Sequence, residues 1–523
     1  MKAMKNIYRI TLLVAALSLA ASCSKEYLET SPESSTSPAT IFGTTENVKL
    51  AINGMSKMMT SQYLSTQGLN GEGTIKTWYG NFGNDLQRCN QTGWAALWNH
   101  TYNEQVNSTY LVYPWYYYYK IIGNANQVIV NVDNAEGPDA ERQFYKAQAL
   151  VFRAHAYTML LQLYGYRWQD SNNGASNGVI LRLNTDRDEE GNFDLPLNTQ
   201  SECYAQIYAD CDEAVQLFQA SGMNRGSSEF YLPNVNVAYA VKARAALVRE
   251  DWATAADAAA KARAGHTLMT QKQYMDEGFN TPNDEWIWGV YEAEDQTIYY
   301  YSFFAYQASD ASSSMQRNYP LAISKELYNK IPATDVRRAL WLEPTAEEAK
   351  ELNAAGRSTG KLYTRAFAEY GDKLYSTSLV YQYMQFKFQC TFYPGGGSFN
   401  IYRAAEMYLT EAEAKCHLGG KDAEVQNLLK ELNKNLDPSY TCTKTGADLL
   451  TEVKLYRRID LWGEGFDWYD YKRWNEPIVR KSIKDGGSFA SAFAVTINVG
   501  DGNKWTWKIP RRETDYNKLV SLE

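Results

Sequence analysis

The residues best suited to binding chemistry are concentrated between positions 65 and 98. This stretch is rich in Gly and Asn, lacks a helical period, and mixes flat rings with amide, carboxylate and guanidinium groups. Rings of this kind stack on the C–H faces of sugars, while neighbouring polar groups bind the hydroxyls. The candidates are Trp78, Tyr79, Asn81, Asn84, Asp85, Arg88, Trp94 and Trp98. Residues 65–95 are predicted to form a long irregular loop, a type that is usually functional or disordered, but a single Trp is more often a core residue, so both interpretations stay open.

One acidic segment is a weak candidate for a metal-binding loop. Asp186, Asp188 and Glu190 alternate ahead of Gly191, as at the start of a calcium loop. The twelfth position is Leu197 instead of the bidentate Glu that such loops require, so a solvated acidic loop is the simpler interpretation. No cofactor is predicted.

Catalytic groups are scarce. The chain has only four His and contains no nucleophile elbow, no H-E-x-x-H and no phosphate loop. The carboxylate pairs Asp284/Glu285 and Glu292/Glu294 leave an exported glycosidase as an alternative, because spacing in sequence does not fix separation in space. The sequence favours a binding protein without catalysis.

The first residues form an export segment that ends at a cysteine. Lys2, Lys5 and Arg9 precede an apolar run at 10–21, and small residues lead into Cys23. This layout resembles a bacterial lipobox, although Leu19 stands one position early, and an ordinary secretory signal is the alternative. We therefore predict a signal peptide at 1–22, lipid attachment at Cys23, and a Ser/Thr/Pro-rich tether at 23–40. No later stretch is long and apolar enough to span a bilayer, so the lipid is the only predicted membrane attachment.

The amino-acid composition limits the kinds of partner that the protein can bind and the state of its cysteines. The balance of 52 basic and 60 acidic residues gives a net charge of −8, which argues against nucleic acid. The six cysteines after Cys23 are scattered and form no C-x-x-C pair, so we expect mostly buried free thiols.

Helical periodicity dominates the elements that must position these groups. A helix is predicted from Thr45 as N-cap, and apolar stripes recur over 141–164, 235–264 and 401–435. The last two stretches break at Glu250-Asp251 and Gly419-Gly420, and each has the length and the alternation of small and large residues typical of a tetratricopeptide helix pair. Tyr116–119 lie in helical context and are assigned to packing. Between the pairs the chain is loop-like or β-like, as at 299–306, and 495–509 is predicted to be a hairpin around 500–503.

Five segments, in this order behind the lipobox, resemble one family. They are Tyr-Leu-Glu-Thr-Ser-Pro at 27–32, Arg-Ala-His-Ala-Tyr at 153–157 with Leu-Tyr-Gly at 163–165, the helix at 238–247 with Asp251-Trp252, the Arg-Ala-Ala-Glu helix at 403–414, and 457–474. Together they are similar to the SusD/RagB family of outer-membrane nutrient-binding lipoproteins, over essentially the whole chain. One departure is Phe466-Asp467, where the family usually carries a polar residue and Arg, and this change could alter a structural ion pair.

The resemblance implies the fold, the partners and the region of the ligand site. The expected fold is mainly α, with tetratricopeptide-like helix pairs as a scaffold and a loop-rich region with a few short β-hairpins, in one composite domain at 41–523. Family members cap a TonB-dependent, SusC-like outer-membrane transporter and deliver oligosaccharides to it. They are lipid-anchored and face the cell exterior. Ligand contacts are implied in the 65–98 region and in the aromatic segment at 299–306, here Tyr300, Tyr301 and Tyr306.

Two further alternatives remain. Some members of the family handle peptides, and the sequence cannot name the ligand. A tetratricopeptide adaptor that binds only proteins predicts a clean repeat array without a large aromatic loop region, which this chain does not show.

Overall fold

Local helical periodicity accounts for most of the architecture. The computed structural model describes residues 41–66, 68–90, 95–185, 194–296 and 301–521. The predicted signal peptide, Cys23 and tether lie outside the described residues, as do Trp94, Asp186, Asp188, Glu190 and Tyr300.

Eleven helices of eight residues or more occur in the described residues, and we number them in chain order. They are α1 (Thr45–Met58), α2 (Thr109–Asn131), α3 (Asp139–Tyr164), α4 (Gln200–Ser221), α5 (Val235–Val248), α6 (Trp252–Ala262), α7 (Lys361–Tyr370), α8 (Ala404–Leu418), α9 (Asp422–Asn433), α10 (Gly446–Asp460) and α11 (Asp467–Trp474). Shorter α-helical turns are Gly71–Thr74, Ala95–Trp98, Gln271–Met275, Phe303–Gln307, Ser314–Asn318, Lys325–Tyr328, Ala346–Lys350, Gly502–Trp505 and Arg511–Tyr516. This confirms the predicted mainly α fold.

The scaffold consists of helices that pack against their neighbours in sequence. α3 packs on α4, α5 on α6 and α8 on α9, while α6 also packs on α8 and so joins two of the pairs. The predicted pairs at 235–264 and 401–435 are confirmed, although residues 399–403 form a strand ahead of α8. Small residues such as Ala255 and Ala259 are fully buried, which lets the helices approach closely.

Capping residues determine where the helices begin. Asp251 accepts a hydrogen bond from the Thr254 backbone N–H and begins α6 immediately after the predicted turn. At α1 the N-cap is Thr44 and not Thr45: the Thr44 side chain accepts from the Asn47 backbone N–H. The Thr45 hydroxyl instead donates to Glu141 of α3.

Strands are few, short and antiparallel. They are β1 (Leu86–Arg88), β2 (Trp286–Val290), β3 (Leu321–Ile323), β4 (Arg357–Ser358), β5 (Val380–Tyr381), β6 (Phe399–Arg403), β7 (Ile478–Val479) and β8 (Thr496–Ile497). The pairs are β1 with β3, β2 with β6, β4 with β5, and β7 with β8. The predicted hairpin at 495–509 is wrong, because β8 pairs with β7 and Gly502–Trp505 is helical. Turn residues mark a reversal of the chain but do not name the partner strand.

A cluster of buried charges holds the scaffold to the irregular region. Arg403, at the end of β6, donates to Glu464, Glu285 and Asp460 at 2.5–2.8 Å. Lys387 adds a 2.8 Å contact to Glu464. All these side chains are buried, so the charges are compensated by one another and not by water. We call this set, completed by Arg337 and Asp335, the Arg403 cluster.

The six described cysteines are free thiols, as predicted. Cys89, Cys203 and Cys211 are buried, whereas Cys390, Cys416 and Cys442 are half-buried.

The departure at Phe466-Asp467 has a structural consequence. Arg458 pairs with Asp85 at 2.6 Å, while Asp467 lies beside Asp85 and accepts its backbone N–H at 2.9 Å. The other Asp467 oxygen has no hydrogen-bond partner among the described residues. Burial, and next the charge of Asp85, raise the pKa of Asp467 well above its ordinary value.

Replacing Asp467 by Asn is therefore expected to stabilise the protein at neutral pH. A carboxyl group whose pKa is higher in the folded than in the unfolded state contributes stability below its unfolded pKa and loses it as pH rises. The stability of Asp467→Asn relative to wild type should thus increase from pH 4 to pH 7, by about 1.4 kcal/mol for each unit of pKa difference. Urea unfolding at both pH values measures it. An equal difference at the two values would contradict the raised pKa.

Candidate functional site

The 71–79 segment is helical, which corrects the prediction of an irregular loop over 65–95. Gly71–Thr74 form one α-turn, and Ile75–Tyr79 continue as a π-helix. All these residues are buried, so no exposed face exists to produce an amphipathic period. Gly71 has φ +52°, and a Cβ there would lie 1.8 Å from the Met59 carbonyl oxygen, so the turn requires glycine. π-helical turns are rare and are frequent at functional sites.

A buried carboxylate fixes this turn to the scaffold. Glu72 accepts hydrogen bonds from the Tyr117 and Tyr118 hydroxyls of α2 at 3.3 and 3.2 Å. His155 Nε2 of α3 lies 3.2 Å from Glu72, and His155 Nδ1 lies 3.1 Å from the Tyr402 hydroxyl of β6. Tyr116–119 lie within α2, as predicted, and Tyr117 and Tyr118 are fully buried, but the assignment to packing is wrong for Tyr116, which is exposed.

The two aromatic segments singled out in the sequence are in contact. The Trp78 ring lies 5.5 Å from that of Tyr306, and the Arg88 guanidinium donates to the Tyr306 carbonyl at 2.6 Å. Tyr306 lies in the short helix Phe303–Gln307, which the Ser302 hydroxyl caps, so this part of 299–306 is neither loop nor strand. Aromatic burial, and not a β alternation, explains its composition.

A continuous series of rings passes through this contact. In order, its members are Tyr102, Tyr110, Trp78, Tyr306 and Tyr301, with successive centroids 5.1–6.4 Å apart. We call it the aromatic row. Trp78 and Tyr306 are buried at its centre, whereas Tyr102, Tyr110 and Tyr301 are half-buried and reach the surface. Ring contacts of this kind hold each ring in one orientation.

The other predicted residues of the 65–98 region have partners within the protein. Asn81 donates to the Lys76 carbonyl and accepts from the Gly465 N–H, and Asp85 forms the ion pair with Arg458. The Tyr79 hydroxyl donates to the Tyr110 carbonyl, and Trp98 packs between Phe82 and Phe493. Trp78 is 2% exposed, and Tyr79, Asn81, Asp85, Arg88 and Trp98 are also buried. Each thus has a structural role, and direct ligand contact by these side chains stays a prediction.

Open space lies beside the Tyr102 end of the aromatic row. A cavity of about 630 Å³ is lined by residues 102 and 104–109. A second, of about 260 Å³, shares Asn107 and Thr109 and is completed by Leu64, Val112 and Arg512. Tyr102, Tyr110 and Arg512 were missed in the sequence. Tyr102 and Tyr110 flank a polar stretch that contains Asn, as 65–98 does, but nothing local indicates Arg512.

A larger cavity of about 900 Å³ lies between the end of α3 and the C-terminal segment. Of its three rings, Tyr164 and Trp507 are buried and only Tyr166 is broadly exposed. None of the rings of the aromatic row lines this cavity, so it is separate from that row.

Within the residues that the structure describes, no group of three or more His, Cys, Asp or Glu is placed to hold a metal ion. In the same ranges, no helix is both long and apolar enough to cross a membrane. Glu285, one member of a carboxylate pair considered for hydrolysis, is buried and paired with Arg403 at 2.6 Å.

Comparison with solved structures shows the same fold. A SusD-like carbohydrate binding protein from Bacteroides vulgatus has a TM-score of 0.73 and 22% identity, covering 92% of this chain and 98% of the other. A SusD superfamily protein from Bacteroides thetaiotaomicron has a TM-score of 0.72 and 21% identity, covering 92% and 99%. One from Bacteroides fragilis has a TM-score of 0.67 and 19% identity, covering 92% and 100%. A search of curated proteins found no match.

Family models match both halves of the chain. Residues 26–247 match a SusD-like family described as starch-binding and associating with the outer membrane. Residues 252–519 match the SusD family itself. On these matches, which cover most of its length, the protein belongs to the SusD family of carbohydrate-binding proteins associated with the outer membrane.

Proposed function

We propose that this protein is a lipid-anchored protein on the cell exterior that binds oligosaccharides reversibly and passes them to a TonB-dependent, SusC-like transporter. Cys23 carries the lipid, and the body performs no catalysis and needs no cofactor. Family membership supports the proposal, and the aromatic row is the observation that carries it. Two aromatic segments more than 200 residues apart in sequence meet in one row, and Tyr102 at one end of the row lines an open cavity.

The geometry suits reversible binding. Tyr102 lines the 630 Å³ cavity and packs on Tyr110, and Asn107, Ser108 and Thr109 line the same cavity with amide and hydroxyl groups. Rings that already pack on buried neighbours lose little freedom when a sugar stacks on them, so little binding energy is spent on ordering the site. The buried Trp78 and Tyr306 act as the support of this surface and are not themselves required to touch the ligand.

Replacing Tyr102 by Ala should weaken oligosaccharide binding by about 1–3 kcal/mol, by analogy with aromatic stacking on bases. Binding is first identified by a screen of glycans and peptides on the body from residue 41, and affinity is then measured by calorimetry. Tyr408→Ala is the matched control, because Tyr408 is a half-buried tyrosine on scaffold helix α8, where it contacts Arg263. The affinity of Tyr408→Ala for the oligosaccharide should not change.

Several outcomes would contradict the proposal. Unchanged affinity of Tyr102→Ala and of Tyr301→Ala would remove the aromatic row from the site. Binding of peptides alone would favour a peptide-binding member of the family. Release of shorter sugars during incubation with the glycan would favour a glycosidase. Absence of a TonB-dependent transporter among proteins cross-linked at the cell surface would reject the delivery step.

A further inference from the structure

We propose that the ligand is an acidic oligosaccharide, recognised by Arg512 beside the first turn of α2 and by Lys120 about two turns further along the same helix. This inference rests on the proposed function and specifies its ligand class. It is carried by the placement of the C-terminal segment, by the cavity that Arg512 lines, and by the exposed side chains of Tyr116 and Lys120 on α2.

The C-terminal segment is attached along the ring-bearing loop at 100–108. The backbone N–H groups of Lys508 and Arg511 donate to the carbonyls of Asn103 and Val106 at 2.9 and 3.1 Å. In the reverse direction the Asn103 amide donates to the Lys504 carbonyl at 3.0 Å. These bonds fix residues 504–511 beside Tyr102, and the short helix Arg511–Tyr516 that follows brings Arg512 to the cavity.

Arg512 is an uncompensated cation in this cavity. It is exposed and lines the 260 Å³ space with Leu64, Asn107, Thr109 and Val112. The adjacent carboxylate, Glu513, is occupied by Arg182 at 2.8 Å and by the Trp115 indole at 3.1 Å. No carboxylate of the described ranges forms an ion pair with Arg512. Glu104 lines the adjoining cavity, and Asp515 lies on the same short helix, both exposed to solvent.

One face of α2 leads from this cavity to Lys120. Val112, Tyr116 and Lys120 are spaced four residues apart, so they lie on the same side of the helix and span about 12 Å. Tyr116 is 37% exposed, although its neighbours Tyr117 and Tyr118 are buried. The Lys120 ammonium lies 5.8 and 5.9 Å from the Tyr63 and Tyr116 ring centres. It too forms no ion pair in the described part of the chain.

This arrangement places a cation at each end and a ring between them. A guanidinium binds carboxylate or sulfate through two parallel hydrogen bonds, and the tyrosine ring provides a surface for a sugar face. The net charge of the chain is −8, but exposed charges further away than a Debye length of about 8 Å are largely screened, so distant carboxylates have little effect on an anion bound here. The shared chemistry is an anionic group on the sugar, from a uronate or from a sulfate ester.

The test compares three probes of similar length on the body from residue 41: an oligogalacturonate, a chondroitin sulfate oligosaccharide and a neutral maltooligosaccharide. We expect at least one acidic probe to bind at least tenfold more tightly than the neutral one. Arg512→Gln should weaken that binding at least tenfold, Lys120→Gln should weaken it severalfold, and higher salt should weaken it as well. Binding of the oligogalacturonate identifies carboxylate recognition, whereas binding of the sulfated probe alone identifies sulfate recognition.

The control is Arg511→Gln, which removes an exposed charge from the same short helix but does not line the cavity. It should leave the affinity nearly unchanged, and thermal melts should show all three variants folded, since exposed substitutions cost little. Tight binding of the neutral probe without binding of either acidic one would overturn this inference and leave the proposed function standing. Unchanged acidic binding by Arg512→Gln would also overturn it. Failure of every glycan to bind would reject the proposed function as well.

Discussion

Arg403→Met is expected to be the most damaging single substitution in the protein. Arg403 is buried and bonds to three buried carboxylates, those of Glu285, Asp460 and Glu464. Removing one partner of a buried ion pair costs about 3–5 kcal/mol, and here three acceptors lose the same donor. Domains are stable by only about 5–15 kcal/mol, so we expect little folded protein at 37 °C.

The loss of stability in Arg403→Met should become larger as pH rises. Burial by itself would raise the pKa of Glu464, but Arg403 and next Lys387 outweigh it and lower that pKa to about 2. Without Arg403 the folded-state pKa of Glu464 rises, so the variant loses stability as pH rises through that value. The difference in unfolding free energy between wild type and variant should therefore be larger at pH 8 than at pH 5, in urea titrations of protein expressed at low temperature.

Arg167→Met is the matched control for Arg403→Met. Arg167 also makes a two-pronged contact with a carboxylate, that of Asp170 at 2.8 and 2.9 Å, but Asp170 is largely exposed. Such surface pairs contribute about 0–1 kcal/mol. Equal losses for the two variants would show that the Arg403 cluster has no special weight.

Trp78→Ala is expected to destabilise the fold by about 3–5 kcal/mol, the usual cost of deleting a buried Trp. Trp78 is 2% exposed, and its ring contacts those of Tyr110 and Tyr306. Its removal takes away the support between the two surface ends of the aromatic row, so glycan affinity should fall together with stability. Trp78→Phe, which keeps a ring, should recover most of both.

Trp252→Ala is the control for Trp78→Ala. Trp252 is half-buried at the start of α6, where it stacks on His417 with centroids 3.9 Å apart. Its truncation should cost less stability and leave glycan affinity unchanged. Thermal melts and calorimetry on the same preparations separate the two effects. A Trp78→Ala protein of wild-type stability that loses glycan binding would contradict the supporting role and restore Trp78 as a direct ligand contact.

Local sequence patterns were enough to predict the scaffold. The helix pairs at 235–264 and 401–435 appeared where predicted, with breaks at Glu250-Asp251 and Gly419-Gly420, and the family was recognised from five short segments, most of which lie on helices. Helices are determined by residues three and four positions apart and by their caps, so a single chain displays the pattern directly.

The candidate site depends on tertiary contacts. The loop expected around Trp78 is a buried π-helical turn, the half-buried rings of Tyr102 and Tyr110 lie at one end of the aromatic row, and Arg512 reaches a neighbouring cavity from a distant part of the chain. The expected hairpin at 495–509 is replaced by pairing between β7 and β8. Contacts of this kind join residues tens to hundreds of positions apart. The local pattern of a sequence does not predict which distant segment will bury a ring or pair with a charge. A row of aromatic residues in sequence therefore indicates that burial or binding will occur, but packing decides which ring is core and which faces the ligand.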